Sequence, residues 1–392
     1  MRHKRIIIVG NFLDDETRAG RGITGDSPAA SRKIVRMAEA LRSAGTATYV
    51  LSMGRGAPKR LLDWHSARVV RINKVPIAYA PFSNLPIVSE ITTLVGLAVL
   101  AIRLRRDSNC TIVFYNRFHA YLPVLVIGTL FGNRMILDLE DGQIAINRSK
   151  IGAISQRLIR WVFDRCCKHG ALLACSKLRN DTAIRPVFCY YGTSAVNAVA
   201  NPMQSIVVTC LMAGTLDFET GATTLIDAIE KLRAHRPALA KQLRFIVTGK
   251  GTCAHEFERL AAADGQPEVV FYGRIPDEDY SKVLSLVDVG LALKRVDGTL
   301  SNTTFPSKVI EFGAAGLLVL TTDISDVRQM LGKGALYLRS NDPELLVELL
   351  STVVMDRSAA VNRARLGSEN IRARCAPELA GPALAKFIHG RQ

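Results

Sequence analysis

Lys308 and Glu311 stand three residues apart, just after Pro306, in the stretch SNTTFPSKVIEFGAAGLLVLTTD over 301–323. That spacing puts an ammonium and a carboxylate on one face of a helix near its start. Pro306 suits the first helical turn, and Thr303 or Thr304 can cap ahead of it. A helix N-terminus presents unpaired backbone N–H groups and the positive end of the dipole, so a lysine among them suits an anion, phosphate above all. A plain loop–helix–strand unit accounts for Gly313, Ala314, Ala315 and Gly316, which remove bulk where a helix lies close to a sheet. It also accounts for the apolar run 317–320. It gives the lysine no task.

Three earlier loops have similar chemistry. GTLDFETGA (214–222), TGKGT (248–252) and YGRIPDEDY (272–280) each follow an apolar run, and all are rich in Gly, Lys, Arg or hydroxyls. Such an ordered set suits a nucleotide diphosphate, although Lys250 reads equally well as a solvated loop lysine. In the first half, MILDLEDGQ places Asp138, Glu140 and Asp141 at the end of an apolar run. Carboxylates there could accept a hydroxyl proton or orient a substrate, or simply cap a helix and solvate a loop. His119, in YNRFHAYLP, reads as a packing histidine before a functional one. The eight cysteines include no C-x-x-C spacing, and most sit in apolar segments. They suggest a reducing cytoplasm and no metal site.

The elements that must position these residues alternate between strand and helix throughout, which predicts parallel sheets covered on both faces. Strands are predicted at 6–9, 49–52, 111–115, 134–139 and 171–175, then at 206–212, 243–247, 269–272, 289–293 and 317–321. A long polar loop, Asn11 to Asp26, precedes a helix with Ser27 as N-cap and Pro28 in its first turn, and Gly20, Gly22 and Gly25 would let that loop lie against a ligand. Both periodicities fade near 190–205, which marks a hinge. The expected fold class is α/β, with two Rossmann-like domains facing a central cleft. The boundaries are 1–195 for the acceptor side, 196–375 for the nucleotide side, and 376–392 for a last helix crossing back to the first domain. Ligands of such sheets bind at the carboxyl ends of the strands.

At 392 residues, 48% hydrophobic and 22% charged, the chain is globular, and its net charge of +16 calls for an anionic partner. Nucleic acid ranks last, because aromatics make up only 6% of the chain. The opening MRHKRIIIVG has too short an apolar run for a signal peptide and reads as a first buried strand. ITTLVGLAVLAIRLRR (91–106) has about a dozen apolar residues, short of the ~20 a spanning helix needs. It reads as a buried amphipathic helix or one lying at a membrane interface, with Arg103, Arg105 and Arg106 reaching headgroups, and a true span ranks behind both.

The second half resembles the retaining, sugar-nucleotide-dependent glycosyltransferases of family four, the group 1 enzymes of the GT-B fold. AGTLDFETGATTLIDAIEKL, FIVTGKGTCAHEFERLA, VVFYGRIPDEDYSKVLSLVDVGLAL and TTFPSKVIEFGAAGLLVLTTD carry the likeness, and LACSKL and VANP carry a looser one in the first half. The resemblance implies that Glu311 binds the donor ribose and that Lys308 lies beside the donor phosphates. It places Gly249 and Gly251 in the second donor loop and Arg274 and Ile275 beside the base. Two cations common in relatives are replaced here by Thr215 and Thr220, and the first of the paired glutamates by Thr303. Lys308, Lys250, Lys294, Arg295 and helix N-termini are the candidates to take over their charge. The implied activity is sugar transfer with retention from a nucleotide sugar to an acceptor hydroxyl, in cell-surface polysaccharide or glycolipid assembly. The implied partners are a nucleotide sugar, a lipid-linked or saccharide acceptor and an anionic membrane surface. No metal or other cofactor is implied, and the location is cytoplasmic, on the inner face of the membrane. A catalytically weak nucleotide-sugar-binding subunit and a GT-B-fold epimerase remain the alternatives.

Overall fold

The computed structural model describes residues 5–23, 28–53, 55, 63–105, 110–140, 150–194, 203–298, 301 and 303–390. The chain divides into two compact units, one of residues 1–193 with 377–392 and one of residues 194–376.

The first unit is built on β1 (Arg5–Gly10), β2 (Ala47–Ser52), β3 (Arg68–Ile72), β4 (Val75–Tyr79), β5 (Cys110–Tyr115), β6 (Arg134–Leu139), β7 (Ala171–Leu173) and β8 (Val187–Cys189). Their order is β8-β7-β6-β5-β1-β2-β4-β3, parallel except for the β3–β4 hairpin. Alternation along the strands assigns the two faces. Ile7, Val9, Phe114 and Leu137 share a core with Leu97, Val124 and Phe163 of the helices Pro86–Arg105, Leu122–Leu130 and Lys150–Cys166. Ile6, Ile8, Val113 and Ile136 share another with Ile34, Met37 and Leu384 of the helices Pro28–Ser43 and Pro377–His389.

The polar segment after β1 is not a bare loop. It contains the helix Asp15–Gly20, and the Asp14 carboxylate accepts from the Thr17 N–H at 2.8 Å and the Tyr79 hydroxyl at 2.5 Å. Leu13 N–H donates to Ser31 Oγ at 3.0 Å. These bonds tie the segment down. The expected roles of Gly25, Asp26 and Ser27 fall outside the described residues, as does half of the 190–205 hinge.

The second unit carries β9 (Val208–Thr215), β10 (Leu243–Lys250), β11 (Glu268–Phe271), β12 (Val289–Ala292), β13 (Leu318–Thr322) and β14 (Ala335–Leu338). Their order is β11-β10-β9-β12-β13-β14, all parallel. This is the doubly wound Rossmann order, and its direction reverses between β9 and β12. The helix Ser307–Ala314 lies against β12 by an unexpected route. Gly290 admits the Phe312 ring, since a β-carbon on Gly290 would lie 2.3 Å from it. Gly313, expected to face the sheet, instead meets Ile371 of the helix Arg357–Cys375. Leu317 N–H bonds Phe312 O at 3.1 Å and Gly316 N–H bonds Gly313 O at 3.1 Å, closing the helix before β13.

Candidate functional site

The switch point of the second sheet gathers most of the residues singled out in the sequence. At the end of β9, Gly214 pairs with Gly249 of β10, and Thr215 pairs with Lys250. Gly249 has φ of 145°, and a β-carbon there would sit 1.8 Å from Gly214 O. Only glycine permits this approach of two backbones. Gly249 N–H donates to Gly273 O at 2.8 Å, which brings in the loop holding the exposed Arg274 and half-buried Ile275. Asp217 accepts from Thr252 N–H at 2.6 Å and from its hydroxyl at 2.8 Å, and Gly251 packs against Leu216 O beside it.

Lys308 reaches this cluster from the first turn of the Ser307–Ala314 helix. Its Cε lies 3.6 Å from where a Gly214 β-carbon would be. Its Nζ is held 2.7 Å from Glu311 Oε2 and 2.8 Å from the Tyr280 hydroxyl, and 4.4 Å from the Tyr280 ring centroid. A charged donor, a carboxylate and a phenol thus meet beside two bare strand ends. The helix cap differs from expectation: Pro306 is itself the N-cap, and neither Thr303 nor Thr304 bonds to the helix start. Thr304 is buried and accepts from Lys294 Nζ at 2.6 Å, while Thr303 Oγ1 is buried without a hydrogen-bond partner. Lys294 follows the end of β12, so the Lys294–Thr304 pair stands on the other side of the switch point from Gly214. Arg295 is committed elsewhere. It chelates Asp297 at 2.9 and 2.8 Å, and its guanidinium lies 4.0 Å from the Phe218 ring centroid.

The carboxyl end of β6 forms a second cluster, in the first unit. Asp138 is fully buried, and burial raises its pKa above the usual carboxylate value while Lys33 pulls it back. Neither Asp138 oxygen has a hydrogen-bond partner, and Lys33 Nζ is 3.8 Å away. Lys33 also pairs with Glu140 and donates to Tyr190 O at 3.2 Å. Glu140 N–H donates to Asn116 Oδ1 at 2.8 Å, and Asn116 holds a left-handed φ of 60° to do so. Asp141 lies outside the described residues. His119 is exposed and within 2.9 Å of Ser155 Oγ, away from this cluster's bonds.

A family model described as glycosyl transferases group 1 matches residues 208–356. The span starts at β9 and takes in every strand-end loop of the switch point. Over that span the C-terminal unit is similar to the group 1 glycosyltransferases. The structure of Anabaena Alr3699/HepE in complex with UDP-glucose is similar to the whole chain, with a TM-score of 0.69 at 13% identity, covering 99% of this chain and 100% of that one. Sucrose-phosphate synthase from Thermosynechococcus elongatus aligns with a TM-score of 0.71 at 13% identity over 98% of both chains. A trehalose-6-phosphate structure from E. coli bound with UDP-2-fluoro glucose aligns at 0.65 and 12% identity over 98% of this chain and 99% of that one. At such identities the likeness establishes the fold, the two Rossmann-like domains of GT-B glycosyltransferases. No curated protein matches the chain.

Thr215 and Thr220, expected to stand where relatives carry cations, bond within their own turn. The Thr220 hydroxyl accepts from Asp217 N–H at 3.0 Å and points its proton at Thr215 O and Asp217 O, both at 2.8 Å. Thr215 supplies only its carbonyl to that turn. Tyr280 and Lys33 were not singled out in the sequence. Tyr280 lies 28 residues before Lys308 and Lys33 lies 107 before Glu140, so no local spacing links either to its partner.

Proposed function

We propose that the chain transfers a sugar from a nucleotide-sugar donor to an acceptor hydroxyl with retention of configuration. The acceptor is lipid-linked, and the setting is cell-surface polysaccharide or glycolipid assembly at the inner face of a membrane. What carries this is the Lys308–Glu311–Tyr280 cluster beside Gly214 and Gly249, at the switch point of a group 1 glycosyltransferase domain. The donor's diphosphate fits over the bare strand ends, with Lys308 and the helix N-terminus on one side and Lys294 on the other. Glu311 takes the ribose hydroxyls. As the sugar–phosphate bond breaks, charge grows on the leaving diphosphate, and fixed cations in a preorganised site stabilise that charge more than the ground state. Retention follows when the acceptor hydroxyl attacks from the face the diphosphate leaves, and the carboxylates after β6 are the first unit's candidates for orienting the acceptor. UDP-glucose in the Alr3699/HepE complex supports a uridine nucleotide as the first donor to try.

The test is a thermal-shift panel of nucleoside diphosphates and nucleotide sugars. A ligand held at 100 times its Kd stabilises the fold by about 2.7 kcal/mol, which a melting curve resolves. One base series should raise the Tm, and its nucleotide sugar should be turned over. No shift from any nucleotide would count against the donor site itself. A second reading has one observation in its favour: Thr215 and Thr220 leave the diphosphate without two common cations. A binding subunit without turnover would show the same Tm shifts and no release of nucleoside diphosphate.

A further inference from the structure

The helices Pro86–Arg105, Leu122–Leu130 and Lys150–Cys166 leave an unusual outer surface. All three bury their inner faces in one core, through Leu97 and Ala101, Val124 and Leu125, and Ile159 and Phe163. Their outer faces therefore point away from the same side of the first sheet. On the first helix Val88, Ile91, Val95, Val99 and Ile102 are exposed, at intervals of three and four residues that make one continuous stripe. On the second, Val126 and Leu130 are exposed, followed by Phe131. On the third, Ile154, Leu158 and Trp161 repeat the pattern, with Ile154 66% and Trp161 62% exposed. Monomeric soluble proteins rarely leave apolar patches of this extent to water.

Charge indicates what covers it. Exposed Arg103 flanks the first stripe, and exposed Arg157, Arg160 and Arg165 are interleaved with or flank the third. The described acids of these helices lie elsewhere: Asp164 is held by Arg117 at 2.8 Å, and Glu90 is two residues, about 200° of helix turn, from Val88. Among the described residues no helix is long and apolar enough to cross a membrane. Apolar stripes, a tryptophan and interleaved arginines, with the one described acid of the third helix engaged by Arg117, match the headgroup region of an anionic bilayer.

We infer that the outer face of these three helices docks the first unit on an anionic lipid surface, with Ile154, Leu158 and Trp161 entering the headgroup layer and Arg157 and Arg165 meeting phosphates. This rests on the proposed lipid-linked acceptor for its purpose, while its test needs neither nucleotide nor acceptor. The chain has two tryptophans, so Trp64→Phe leaves Trp161 as the reporter. With vesicles of phosphatidylcholine and phosphatidylglycerol at low salt, Trp161 emission should shift to the blue and the protein should sediment with the lipid. Vesicles of phosphatidylcholine alone should bind far less. Arg157, Arg160 and Arg165 changed together to Glu should lower the partition coefficient by about tenfold or more. Ile154→Ser with Leu158→Ser should lower it at every salt concentration, with an unchanged circular dichroism spectrum. The inference is overturned if Trp161 emission ignores anionic vesicles, or if gel filtration shows a dimer that these serine variants dissociate. Vesicle binding without sugar transfer would leave the docking face standing and remove the proposed activity.

Discussion

Two lysines sit among carboxylates at the carboxyl ends of parallel sheets, and the molecule uses them differently. Lys308 in the second unit has one acid, Glu311, and a phenol, Tyr280. Lys33 in the first has two acids, Asp138 and Glu140, and a backbone carbonyl. Both ammonium groups are largely shielded, so exposure does not separate them. Their surroundings do. Lys308 lies beside the glycine backbones of Gly214 and Gly249, and its ammonium is paired with the Glu311 carboxylate. An arriving diphosphate can draw on that lysine together with the helix N-terminus. Lys33 is outnumbered, and its excess acid is a buried carboxyl with no donor to satisfy it. Such a group favours a proton or a hydroxyl over an anion. Under the proposed function the Lys308 cluster is the one assigned to the phosphate and the Lys33 cluster the one assigned to the acceptor alcohol.

The sharpest way to break that contrast is to remove Lys308. Lys308→Ala should lower kcat by roughly 10²–10³-fold, the cost of one preorganised donor to a developing charge, with a smaller loss of nucleotide-sugar affinity. Steady-state kinetics would decide it, and a wild-type kcat would reduce the lysine to a structural ion pair with Glu311. Next in size is Glu311→Gln, which keeps the shape but not the charge. Nucleotide binding should weaken by about 1–3 kcal/mol in calorimetry, as for one charge-assisted hydrogen bond, and an unchanged affinity would leave Glu311 only its bond to Lys308.

Asp138 tests the other side of the contrast. Burial holds its pKa above the usual carboxylate value, against the opposing pull of Lys33. The folded state therefore keeps this proton where the unfolded chain has lost it. That advantage is full below the unfolded pKa and disappears as pH rises through the raised value. Asp138→Asn should accordingly stabilise the protein near neutral pH and leave its stability unchanged in acid, where both forms of the residue are neutral. Urea melts across pH read this, and a pH-independent loss of stability would mean that the charged pair with Lys33 matters more than burial. The smallest effect belongs to Lys250→Ala, which should change kcat by less than about threefold, because Lys250 is an exposed lysine on a strand end.

How far each cluster could be read in advance follows from chain distance. Lys308, Glu311, Thr303 and Thr304 lie within nine residues, and the glycine loops follow strands with clear apolar runs. Local spacing therefore made the Lys308–Glu311 pairing legible. The Lys33–Glu140 pair spans 107 residues and exists only because the Pro28–Ser43 helix packs across β1 and its neighbours. The strands that went unread have local reasons. Pro76 is a poor residue for a central strand, but the pairing of β4 with β2 begins only at Ile77. The β3–β4 turn uses Asn73 and Lys74 at φ of 49° and 67°, without the glycine that announces such turns. β8 and β14, also unread, are short strands at the edges of their sheets.

The central claim is that one anionic ligand sits over the ends of β9 and β12, between Lys308 and Lys294. Hydrogen exchange with mass spectrometry, with and without a saturating nucleoside diphosphate, tests it most directly. The account predicts slower exchange at 214–217, 249–252 and 303–312, with residues 133–140 unchanged. Protection confined to 133–140, or none at 303–312 under saturation, would contradict it.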